Sequence, residues 1–101
     1  MLAEADYLHD ASVGVTKAKF EADPTLQRAF VRSLAIIGEA AKKVPPAVRD
    51  QYPVLEWRAM AGMRDRLIHD YFGVDLDLVW EVVENKVPPL REHLRKILES
   101  G

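Results

Sequence analysis

Apolar residues along this chain recur at spacings of three and four rather than two, and proline and glycine punctuate the pattern into helical segments. The clearest stripe is Leu26, Ala29, Phe30, Ser33, Ile36, Ile37, Ala40 and Ala41, which predicts one long helix with a buried face. Asp23-Pro24 precedes it as an N-cap followed by proline at the first helical position, where the missing N–H costs nothing. Pro45-Pro46 ends it. Gly38 inside this helix costs roughly 1 kcal/mol of propensity relative to alanine, which points to a close approach by another helix. A short helix around Ala3 to Ala11 and a polar helical turn near Thr16 to Ala22 come before it. After it, Pro53 separates a short segment, Ala47 to Gln51, from a third long helix expected from about Leu55 to Asp70, with Gly73 as its stop signal. Asp75 reads as the N-cap of a helix over Leu76 to Lys86, with Asp77 near the positive end of its dipole. Pro88-Pro89 is expected to interrupt that segment, and Leu90, Leu94, Ile97 and Leu98 to restart an amphipathic helix ending near Ser100. The architecture expected is therefore all-α, a small up-and-down antiparallel helical bundle forming one domain over residues 1–101.

Composition adds limits. Hydrophobic residues make up 49% of the 101 positions and charged ones 30%, the balance of a folded domain and not of a disordered tail. A core of this size is thin, so a dimer interface would add usefully to it. With no cysteine, disulfide frameworks and thiolate metal sites are excluded. No basic segment followed by an apolar run opens the chain, and no window approaches the ~18 apolar residues of a membrane span, so a cytoplasmic protein without a membrane partner is expected. The net charge of −2 argues against gripping a long nucleic acid by overall charge. A local basic patch from Lys42, Lys43, Arg49, Arg58, Arg64 and Arg66 remains possible.

The candidate chemistry lies in Met63-Arg64-Asp65-Arg66-Leu67-Ile68-His69-Asp70-Tyr71-Phe72, which contains an R-x4-H-x-Y arrangement. R-x4-H alone is weak evidence; the added tyrosine makes chance placement rarer. If the substrate is RNA, as the family resemblance described below implies, cleavage without a metal needs a base for the 2′-hydroxyl, an acid for the leaving 5′-oxygen and a cation for the charged phosphorane. Histidine suits both proton transfers because its unperturbed pKa is about 6.5. One chain supplies one such His and one such Arg; two chains about a twofold axis supply both proton carriers. On an ideal helix Arg64 and His69 lie about 140° apart, so arginine's reach or a loosening of the helix before Gly73 must close the gap. Asp65 and His69, four apart, would share a helical face, where Asp65 could hold the imidazole in one tautomer.

Structural readings compete with these. Arg64-Asp65-Arg66 could be a solvated helix face beside a structural His69, and Tyr71 a core or capping aromatic. His9 and His93 read as surface residues, and Glu39 as a partner for Arg64 or for another chain. Asp70, Asp75 and Asp77 with His69 match no strong ligand spacing, so no metal site is expected. Arg66, Arg58, Lys42 and Lys43 are secondary candidates for touching RNA, with ordinary helix surface as the alternative.

Three blocks, Ile36-Ile37-Gly38-Glu39-Ala40-Ala41-Lys42-Lys43, Trp57-Arg58, and Gly62 through Asp75, resemble the signature segments of HepT-like HEPN proteins. Val79-Trp80 and Val87-Pro88-Pro89-Leu90 are similar to that family's last region. The resemblance implies a helical homodimer that cleaves RNA without metal or cofactor, as the toxin of a prokaryotic toxin–antitoxin pair. It further implies a nucleotidyltransferase partner of the MNT type, which uses ATP and Mg²⁺ to adenylylate the tyrosine matched by Tyr71; the added phosphodiester charge and bulk would compete with the substrate phosphate beside Arg64. Two departures from the family pattern stand out. Asp65 occupies the place where asparagine is common, and the first helix looks about a dozen residues shorter than usual. A non-catalytic accessory partner of the nucleotidyltransferase and a purely structural dimerisation domain are the other classes of function the residues allow.

Overall fold

The stripe on the central helix decides the arrangement of the rest. In the computed structural model, which describes residues 1–69 and 73–100 with side chains at all of them except 68, 69 and 100, this helix is α3, Pro24–Lys43. It starts where Asp23 Oδ1 accepts from the Leu26 N–H at 3.1 Å, the expected cap followed by proline. Its buried residues are Phe30, Ser33, Leu34, Ile37, Gly38 and Ala41. The inward face is thus centred on Leu34 and Ile37, while Leu26, Ala29, Ile36 and Ala40 from the expected stripe lie half-buried along its edges.

Around α3 stand α1, Leu2–Ser12, and α2, Lys17–Glu21, followed by α4, Pro46–Gln51. Each is short, and each is fixed by a particular contact. Phe20 of α2 is fully buried and stacks on Phe30 with ring centroids 5.4 Å apart, and on Trp80 at 5.5 Å. Such aromatic contacts contribute about 0.5–1.5 kcal/mol beyond their area. Arg49 of α4 reaches back to the C-terminal end of α3: its Nε donates to the Val44 carbonyl at 2.9 Å and its Nη2 to those of Ala41 and Lys42 at 3.0 and 3.1 Å. Arg49, counted above in a basic patch, therefore caps the carbonyl end of α3, where Ala41 also accepts the Val44 N–H.

Two expected boundaries differ. The third long helix, expected over Leu55 to Asp70, is two short ones, α5, Trp57–Ala61, and α6, Met63–Leu67, broken at Gly62. It ends at Leu67 because the chain then pairs with itself: β1, Ile68–His69, runs antiparallel to β2, Gly73–Val74, and the Asp75 N–H donates to the Leu67 carbonyl at 2.8 Å. Conversely, Pro88-Pro89 does not interrupt the last segment. α7, Leu76–Glu81, passes through a π-helical turn, Val82–Lys86, into α8, Val87–Ser100. The Val87 N–H bonds to the Val82 carbonyl, five residues back. The widened turn removes the clash of a proline ring with the carbonyl four residues before it, and both prolines sit in the first turn of α8, where donors are dispensable.

The result is the expected all-α bundle, α1 and α3 packing together and α8 covering α1. Asp6 of α1 accepts from Arg91 Nε at 2.6 Å with Arg95 3.6 Å away, joining first and last helices through a partly buried pair. Lys17 and Asp77, 3.1 Å apart, tie α2 to α7, and the Asp77 carboxylate raises the Lys17 ammonium above its ordinary pKa of 10.5. What this exposed pair adds is present throughout neutral pH and lost only as pH climbs through that raised value. No helix among the described residues is long and apolar enough to cross a membrane. The Cα extents are 40 × 31 × 16 Å, a flattened body about two helix layers thick.

Gly38 is where α3 meets α5. A Cβ there would lie 2.8 Å from the Met60 carbonyl oxygen and 3.5 Å from the Met63 Cβ, the close approach its sequence position suggested. Propensity alone predicts that Gly38→Ala gains about 1 kcal/mol. Because the obstructing atom is backbone, the exchange should instead lower unfolding stability, by about 1–3 kcal/mol. Urea denaturation measures this, and a stabilised variant would contradict the contact.

Candidate active site

Met63 and Leu67 are the buried residues of α6 and face α3, which turns Arg64, Asp65 and Arg66 outward. Arg64 and Arg66 are about 200° apart around a helix, so they leave it on opposite sides. Arg64 lines an open groove of about 550 Å³, together with Gln27, Arg28, Val31, Arg32 and Ala35 of α3, Val74 of β2 and Leu76 of α7. Arg66 lines a different cleft, about 200 Å³, among Glu56, Glu81, Asn85, Lys86 and His93. The two arginines of the motif therefore serve two separate surfaces.

The backbone of His69 lies in β1, opposite Gly73, and its side chain is outside what the structure describes, as are Asp70 and Tyr71 altogether. Because α6 stops at Leu67, the helical argument for a shared face between Asp65 and His69 no longer applies. The break that the 140° separation of Arg64 and His69 demanded comes two residues before His69. Asp75 accepts from the Leu78 N–H at 3.0 Å as the expected N-cap of α7, and Asp77 faces Lys17, so both carboxylates have structural duties.

The remaining candidates scatter. Lys42 is paired with Glu39 at 3.5 Å, which gives Glu39 a neighbour on its own helix instead of Arg64. Lys42 and Lys43 stand at the far end of α3, about 20 Å along its axis from Arg28. Arg58 is exposed on α5 and lines neither cavity. His9 and His93 are each half-buried. The residues missed by the sequence reading are Arg28 and Arg32. Their signal was present: Val31 and Ala35 form a second apolar row on α3, off the main stripe, and the arginines flank that row at helical spacing.

Electrostatically the groove is one-signed. Among the described residues its lining holds three arginines and no carboxylate, and the floor between them is aliphatic. Such a wall attracts an anion and gives an adjacent apolar group somewhere to rest.

The family described as Ribonuclease HepT-like matches residues 1–97 of the chain. A "Putative RNase" of Caldanaerobacter subterraneus subsp. tengcongensis is 42% identical over 100 residues, covering 99% of this chain and 89% of that protein. A "Probable ribonuclease HepT" of Thermococcus cleftensis is 44% identical over 78 residues, 77% of this chain and 71% of its own length. A "Putative RNase" of Methanocaldococcus jannaschii is 42% identical over 82 residues, with 81% and 68% covered. No solved structure matches the chain significantly.

Gly73 sets the turn that carries the motif back to α7, with φ of +75°. Among the described residues no heavy atom stands within 4 Å of where its Cβ would be, so what opposes a substitution there is backbone strain. Gly73→Ala should cost about 1–2 kcal/mol, and Gly73→Asn less, because asparagine tolerates this conformation. Paired thermal melts check the order; equal losses would point to sterics rather than strain.

Proposed function

This chain belongs to the HepT-like ribonuclease family, and from that premise we propose that it is a metal-independent endoribonuclease, the toxin of a prokaryotic toxin–antitoxin pair, acting as a homodimer through Arg64 and His69. The observation that carries the reading is the placement of Arg64: exposed, on a groove whose described lining holds no carboxylate, on a helix that ends just before His69. In the proposed reaction one imidazole takes the proton of the 2′-hydroxyl, whose oxygen attacks phosphorus. The imidazolium of the second chain gives its proton to the departing 5′-oxygen, and the arginines balance the charge that builds on the phosphoryl oxygens. A single chain contributes one histidine of this kind, so the two-proton scheme requires the dimer. The flattened shape, which leaves much of a small core close to solvent, favours a second copy on physical grounds. Asp65 belongs to the proposed site as an acceptor for the imidazole N–H, a role that depends on the turn after Leu67 and not on helical spacing. No resident metal or cofactor is part of the proposal.

Arg64→Ala and His69→Ala should each reduce RNA cleavage by at least about a hundredfold, the scale expected when a charge-stabilising or proton-transferring group is lost. Wild-type cleavage should persist in EDTA. Full activity in both variants, or loss on chelation, would sink the assignment. An inert wild-type protein that still bound its nucleotidyltransferase would favour the accessory reading.

Control is proposed to act at Tyr71. The partner nucleotidyltransferase would direct the phenol oxygen onto the α-phosphorus of ATP with Mg²⁺ bound, forming the tyrosyl adenylate and releasing pyrophosphate. The adduct brings a phosphodiester charge that competes with RNA for Arg64. Intact mass should rise by one AMP per modified Tyr71 and stay unchanged in Tyr71→Phe. An increment that survives in Tyr71→Phe would move the acceptor elsewhere.

A further inference from the structure

We infer that Arg28 and Arg32 of α3 are positioning residues that hold phosphates of single-stranded RNA next to the scission point, a role that rests on the ribonuclease reading of Arg64 and His69. Both guanidinium-bearing side chains are exposed, both line the groove that Arg64 enters, and among the described residues neither makes an ion pair or a side-chain hydrogen bond. Several other cations of the chain are engaged: Arg49 with three carbonyls, Arg91 and Arg95 with Asp6, Lys17 with Asp77 and Lys86 with Glu56; what sets Arg28 and Arg32 apart from the exposed Arg58 and Lys96 is the groove they share with Arg64. Three arginines beside one another on a wall with no carboxylate among its described residues repel one another, and an anion relieves that repulsion.

The spacing suits a strand. Arg28 and Arg32 are one helical turn apart, about 6 Å along the axis, so they can grip successive phosphates of an extended backbone, with Arg64 on the opposite wall at the bond to be broken. Arginine's planar fork also favours phosphate oxygens. Val31, Ala35, Val74 and Leu76 fill the space between, and an unpaired base can lay its apolar face on them while a base stacked and paired in a duplex cannot.

The test measures binding and turnover separately. In a His69→Ala background, which leaves the RNA intact, fluorescence anisotropy with a short end-labelled single strand of mixed sequence gives Kd across a salt series. Arg28→Gln/Arg32→Gln should weaken binding roughly tenfold at low salt, whatever the sequence, as expected for lost phosphate contacts. The dependence of log K on log salt should flatten by about 1.4, two single-strand phosphate contacts. Lys96→Gln, on α8, controls for overall charge and should change neither. The duplex form of the same RNA should bind less tightly than the single strand. In the otherwise wild-type chain the double variant should raise KM with kcat held within about twofold.

Unchanged Kd and salt slope in the double variant overturn the inference, as does equal loss in Lys96→Gln. So does a change in sedimentation without a change in RNA affinity, which would make the groove a protein interface. If the variant loses affinity as stated but the wild-type chain cleaves nothing, the groove stands as an RNA site and the nuclease reading fails; if cleavage proceeds with an unaltered KM, the reverse holds.

Discussion

The approach of α3 to the Met60 carbonyl at Gly38 is the constraint on which the remaining geometry hangs. It sets the distance between α3 and α5, and Gly62 then turns the chain so that α6 lies along the same helix with Met63 and Leu67 inward. Arg64 is consequently held in place by the packing of Met63 and Leu67 on either side of it. The same α3 presents its buried face to the core and its second apolar row to the groove, so one helix forms both the centre of the bundle and a wall of the site.

Most of the fold could be read from local chemistry. Asp23-Pro24, Asp75 and the paired prolines at 45 and 46 mark ends that depend only on neighbouring residues, and the structure places ends there. Gly38 was legible because a glycine inside a strong helix needs a reason. The helix end at Leu67 was not, since no proline or glycine stands between Leu67 and Gly73 to mark it, and what ends the helix there is the pairing of Ile68 and His69 with Val74 and Gly73. Nor was the passage through Pro88-Pro89, where a π turn absorbs what local rules treat as a break. At the site, the R-x4-H-x-Y spacing drew attention to the segment whose Arg64 lines the groove, while Arg28 and Arg32 were hidden because they are distant in sequence and become neighbours of Arg64 only through packing.

Net charge is a poor guide to this surface. The chain totals −2, yet its charges are sorted: carboxylates at 6, 56 and 77 take basic partners, whereas the groove keeps its arginines apart from acid. Arg49 shows the converse error, a cation that looks available in sequence and is committed to three carbonyls. Counting basic residues along a segment therefore misassigns both kinds, and only the distribution of partners separates them.

The brevity of the helices has a bearing on the order of folding. α2, α5 and α6 have five residues each and α4 has six, too few to persist alone in water, where nucleation outweighs so short a run of hydrogen bonds. α3 and the run from α7 through α8 are long enough to act as templates; the short helices exist only once docked on them. Arg64 rides on one of the docked pieces. A nascent or partly collapsed chain can hold α3 and still have no groove, so whatever is done at this site begins only when the whole chain has closed around it.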